Sequence, residues 1–90
     1  MRPARAPHQE MAVSVSAYVL IQTEVGRAAT VARAVQQVDG VATAEGVTGP
    51  YDVIARAEAT TVDELGEMVV GRIQLIEGII RTVTCPVVNL

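Results

Sequence analysis

Ninety residues with a formal net charge of −3, seven arginines and no lysine make one small domain, and the arginines are scattered rather than gathered into the basic stripe that nucleic-acid affinity needs, which argues against direct nucleic-acid binding. Half of the residues are hydrophobic, yet Phe and Trp are absent and Tyr occurs twice, so Val, Ile and Ala must fill the core. A domain of this size buries only roughly 60% of its unfolded surface, which favours oligomerisation.

Residues 1–12 are Pro-rich and polar without periodicity and are expected to form a disordered tail. No apolar stretch that reads as a signal peptide follows them, no apolar stretch is long enough to span a bilayer, and the single cysteine, Cys85, excludes an intramolecular disulfide. A cytoplasmic, membrane-free location is expected.

The structured domain is expected over residues 13–90. "VSVSAYVLIQ" alternates, with Val13, Val15, Ala17, Val19 and Ile21 on one face and Ser14, Ser16, Tyr18, Leu20 and Gln22 on the other, the pattern of a strand. In "RAATVARAVQQV" Ala28, Val31, Ala32, Val35 and Val38 recur at helical spacing, and Asp39 and Gly40 end the helix. "VATAEGVT" and "YDVIARAEA" alternate again around a Gly49–Pro50 turn, which reads as an antiparallel hairpin.

Thr60 or Thr61 then caps a helix whose stripe is Val62, Leu65, Val69, Ile73 and Ile76. Gly66 and Gly71 weaken it and suggest close packing. "IIRTVTCPVV" is the last strand, its Pro86 pointing to an edge or a bulge.

The order strand, helix, strand, strand, helix, strand predicts an α+β, ferredoxin-like βαββαβ sandwich: a four-stranded antiparallel sheet with both helices on one face. The other sheet face carries too many apolar residues to stay wet, so the domain is expected to dimerise through the sheet.

Chemistry is scarce in this chain. One His in the tail and one isolated Cys give no metal-ligand cluster, Cys85 has no base and is expected to be a small core residue, and Glu64 and Glu67 read as solvated residues near a helix start. The glycines make no phosphate loop. No catalytic residue, metal or other cofactor is expected.

Two polar clusters remain, "GPYD" at residues 49–52 and "RTVTC" at residues 81–85. Turn N–H groups can take a carboxylate, Asp52 an ammonium, and Thr82 and Thr84 share a strand face. The same residues also serve as an ordinary turn and an ordinary strand, and the pattern alone leaves both readings open.

The segments "GPYDVIARAEA" and "IEGIIRTVTCPVV" resemble the effector-binding and oligomerisation (RAM) domain of the Lrp/AsnC regulators. Gly49, Tyr51 and Asp52 match its G-x-Y-D turn, and Gly78, Thr82 and Thr84 match its G-[VI]-x-x-T-x-T ending. The resemblance implies dimers joined through their sheets, assembly into octamers or similar rings, and an amino acid or related metabolite bound between dimers at Gly49, Tyr51, Asp52, Thr82 and Thr84. Full regulators of the family carry an N-terminal helix-turn-helix domain, whereas only about a dozen residues precede the first strand here. The resemblance therefore implies a stand-alone sensor that acts alone or with a full-length Lrp/AsnC paralogue.

Two other functions remain in view. Dimeric ferredoxin-like barrels also host small enzymes, although the aliphatic interior expected here offers little for catalysis. A purely structural assembly domain is the third.

Overall fold

The computed structural model describes residues 14–90; the tail expected at residues 1–12, and Val13, lie outside that range. Strand β1 (Val15–Thr23) realises its alternation, with Ala17, Val19 and Ile21 fully buried, Thr23 nearly so, and Tyr18 exposed on the opposite face. Helix α1 (Ala28–Gln36) lays Val31, Ala32 and Val35 on that buried face. Strands β2 (Val41–Gly46) and β3 (Val53–Ala59) follow as the expected hairpin, burying Ala44, Val53, Ala55 and Ala57.

Helix α2 (Val62–Met68) is capped by Thr61, whose hydroxyl accepts from Glu64 N at 3.1 Å, while Glu64 Oε1 accepts from Thr60 N at 3.1 Å. The side chain and backbone thus satisfy two helix-start donors reciprocally, a variant of the capping box. The chain then runs on into a π-helical turn (Val69–Ile73), closed by Gln74 N donating to Val69 O at 2.9 Å.

That turn changes the expected apolar stripe. Leu65, Met68, Val69 and Ile73 are buried, Ile76 is only partly so, and Val62 is exposed. A π turn spends one residue more than an α turn and rotates everything after it, so a uniform 3.6-residue period drifts beyond Val69, while Val62 is exposed as the first residue of the helix, ahead of the turn. Gly66 and Gly71 do not mark close packing, because a Cβ at either would meet nothing within 4 Å.

Strand β4 (Ile79–Pro86) completes one antiparallel sheet in the order β2-β3-β1-β4. This is the ferredoxin-like βαββαβ topology, with the core between the two helices and one sheet face. β4 is an edge strand and Pro86 is its last residue, a place where a missing N–H does no harm. The β1–β4 register shifts at Gln22 and Thr23, which face Arg81 and Ile79 and leave Ile80 as the extra residue of a bulge.

Among the described residues no helix covers the outward face of the sheet. Ile54, Leu20 and Val83, all half-buried, form one row across β3, β1 and β4, and Arg56, Tyr18 and Cys85 form the next. Arg56 Nη1 donates to the Tyr18 hydroxyl at 2.9 Å, and its guanidinium lies 5.3 Å from the Tyr18 ring centroid. The hydrogen bond to Tyr18 is the first cause holding the Arg56 pKa above its ordinary value, with Glu58 adding to it. Cys85 is exposed here, contrary to the core position expected of it: the strand alternation that turns Thr84 toward the helices turns Cys85 away from them. Among the described residues no helix is long and apolar enough to cross a membrane.

Candidate functional site

The β2–β3 connection is closed by Val47 N donating to Asp52 O at 2.9 Å. Gly49 within it has a φ of 130°, a conformation strained for any residue with a Cβ, and no atom lies within 4 Å of where that Cβ would stand. Gly49 is therefore required by the backbone of the turn and not by a close neighbour. The turn leaves Gly49 and Pro50 exposed and Tyr51 and Asp52 half-buried.

Asp52 is bound to the end of β1 by two contacts. Its N–H donates to Ile21 O at 2.9 Å, extending the β1–β3 ladder, and its carboxylate Oδ2 accepts from Thr23 N at 2.8 Å. Thr23 sits where the β1–β4 register shifts, so the carboxylate satisfies a backbone donor at an irregular point of the sheet. The turn reading and the ligand reading of Asp52 are compatible, because Oδ1 has no hydrogen-bond partner among the described residues. The Tyr51 hydroxyl has none there either.

Thr82 and Thr84 stand opposite Ile21 and Val19 on the helix-facing side of β4. Thr82 Oγ1 accepts from Gln74 Nε2 at 2.8 Å. Both threonines line a hollow of about 260 Å³ whose other walls are mainly α2 and the π turn, through Val62, Leu65, Val69 and Val70.

The five expected site residues thus fall into two groups. Gly49, Tyr51 and Asp52 share the turn, and Asp52 lines a broad hollow of about 900 Å³ beside α1 and β2. Thr82 and Thr84 share the β4 hollow. β1 runs between the two groups, since Ile21 pairs with Val53 on one side and Thr82 on the other; strands two places apart are separated by roughly 10 Å. Thr23 and Gln74, which organise the two groups, were not among the expected residues. Thr23 carries no sequence signal beyond its place at a strand end, and Gln74 is brought to β4 by the π turn.

The geometry defines a small α+β domain with two separate, mostly apolar hollows, one bordered by Asp52 beside a hairpin turn and one bordered by Thr82 and Thr84 at a sheet edge. A family model described as the Lrp/AsnC ligand binding domain matches residues 16–89. TTHA0845 from Thermus thermophilus is 33% identical, with a TM-score of 0.79 over 84% of this chain and 95% of that one. E. coli AsnC superposes with a TM-score of 0.82 at 21% identity, over 100% of this chain and 60% of AsnC. The transcriptional regulator NMB0573 from Neisseria meningitidis, in complex with L-Met, superposes with a TM-score of 0.78 at 15% identity, over 99% and 59% of the two chains. At these identities the last two establish the fold. A search of curated proteins gave no match. The chain belongs to the Lrp/AsnC ligand-binding domain family.

Proposed function

We propose that residues 13–90 form an amino-acid-sensing and assembly module of transcriptional regulation, whose ligand is held between copies of the chain. The observation that carries this reading is the placement of the two polar groups. The Asp52 turn and the Thr82–Thr84 face each offer part of what a zwitterion needs, and β1 keeps them apart within one chain. This placement supports a ligand that touches both groups by lying where the turn of one copy meets β4 of another. The L-Met complex of NMB0573 supports an amino acid as the ligand class.

In this reading Asp52 Oδ1 takes the ammonium group, the Gly49–Tyr51 backbone and the threonine hydroxyls fix orientation, and no step of catalysis is required. The row Ile54, Leu20 and Val83 joins two copies sheet to sheet, and dimers assemble further into a ring. The ligand acts by its different affinity for the assembly states, and the partner is either a full-length Lrp/AsnC paralogue or none; this domain makes no nucleic-acid contact of its own.

A thermal-shift panel of the twenty free L-amino acids tests the reading. A rise in melting temperature with at least one of them, growing with its concentration, is the expected result. No rise with any of them into the millimolar range would contradict it.

A further inference from the structure

Charge on the uncovered sheet face is sorted by edge. In β2, Thr43 and Glu45 stand opposite Arg56 and Ile54 and share the outward face with them, and in β4 Arg81 stands opposite Gln22, which alternates with the buried Ile21. Arg56 and Glu58 pair with each other at 3.4 Å. Glu45 and Arg81 are exposed and form no ion pair among the described residues. The sheet order β2-β3-β1-β4 sets these two on opposite edges, three strand spacings or roughly 14 Å apart across the sheet. Glu45 ends the apolar row Ile54, Leu20 and Val83 on one edge, and Arg81 stands two residues from Val83 on the other.

Two copies of this face can stack with their strands aligned in two ways. A two-fold axis across the strands lays β2 on β2 and β4 on β4, so acid meets acid at one edge and base meets base at the other. An axis along the strands lays β2 of one copy on β4 of the other, and β3 on β1. The rows then keep their heights: Ile54 lies over the partner's Leu20, and Glu45 over the partner's Val83, one row or about 7 Å from the partner's Arg81. Glutamate and arginine side chains at an open rim reach across that offset and the roughly 10 Å between stacked sheets. The symmetry makes the contact twice, once at each edge.

We infer that the uncovered face takes a second copy of this chain with the two-fold axis along the strands, and that Glu45 paired with the partner's Arg81, at both edges, selects this arrangement. This rests on the sheet-to-sheet dimer proposed above and adds to it an orientation and the residues that set it. The selection extends to other partners, because complementary charges fix register while like charges oppose a wrong match. A paralogue fits this face when it carries an acid on β2 and a base on β4 at the same rows.

The test is sedimentation equilibrium of the full chain, of Glu45→Arg, of Arg81→Glu and of the double variant, with thermal unfolding of each to show that it folds. Either single variant turns both edge contacts into like-charge pairs, and its dimer should dissociate at least about tenfold more readily than the wild type, the scale of two surface ion pairs lost and reversed. The double variant, and an equimolar mixture of the two single variants, bring opposite charges back to both edges and should dimerise within a few-fold of the wild type. An axis across the strands predicts instead that neither single variant weakens the dimer. A single variant that dimerises as tightly as the wild type, or a mixture that restores nothing, would overturn the pairing while the dimer stands. A wild type that stays monomeric at all micromolar concentrations would overturn both.

Discussion

The carboxylate of Asp52 accepts a hydrogen bond from the backbone N–H of Thr23 at 2.8 Å, so the residue proposed to meet the ligand also holds the end of β1. The two roles separate by substitution. Asp52→Ala leaves the partly buried Thr23 N–H unpaired and should cost about 1.5–3 kcal/mol in urea unfolding, the range for hydrogen bonds to charged groups. Asp52→Asn keeps an acceptor oxygen and should cost less than half of that, yet lose the charge that attracts an ammonium group. Ligand affinity should therefore fall in both variants, and stability should fall chiefly in one.

The uncovered sheet face predicts its own chemistry. With Ile54, Leu20 and Val83 in one row and Cys85 in the next, sheet-to-sheet dimers should shield the Cys85 thiol. Reaction with Ellman's reagent should be slow at concentrations where sedimentation shows a dimer and should quicken on dilution. Leu20→Glu should yield a monomer whose thiol reacts at once. A wild type that sediments as a monomer at all micromolar concentrations would contradict the dimer.

The two glycines in contrasting settings should respond in opposite senses. Gly66 lies inside α2 with open space around it, so Gly66→Ala should stabilise the domain by about 0.5–1 kcal/mol through helix propensity. Gly49 has a φ of 130°, and Gly49→Ala should destabilise it by about 1–3 kcal/mol, the cost of a strained backbone position. Thermal unfolding of the two variants gives both signs.

The Tyr18–Arg56 pair should carry no pH dependence near neutrality. Its arginine pKa is raised in the folded state, so its contribution is fully present below the unfolded value and is lost only as pH rises through the folded one, far into alkali. Tyr18→Phe, which removes the acceptor, should therefore shift stability by the same amount throughout the neutral range in a pH series of urea unfolding curves.

Strand alternation and the Gly49–Pro50 turn made most of the fold legible in the sequence, because a period of two survives any change in packing partner. Val15, Ala17, Val19 and Ile21 face the helices as their spacing implies. The second helix was less legible, since the π turn at Val69–Ile73 breaks the period beyond Val69, and Val62, the first residue of the helix, stays exposed ahead of it. Cys85 misled because its type suggests burial, while its strand parity puts it on the face without helices. Of the candidate site, the residue types and their two clusters were visible. What the sequence could not convey was that β1 stands between them, or that Thr23 and Gln74 organise each half.

The most direct measurement is a crystal structure of the full chain grown with the amino acid that raises its melting temperature most. Electron density for the ligand should lie where two copies meet, with its ammonium group at Asp52 of one copy and the threonine face of β4 of the other beside it. Density confined to a single copy, or located away from both Asp52 and Thr82, would contradict the central claim.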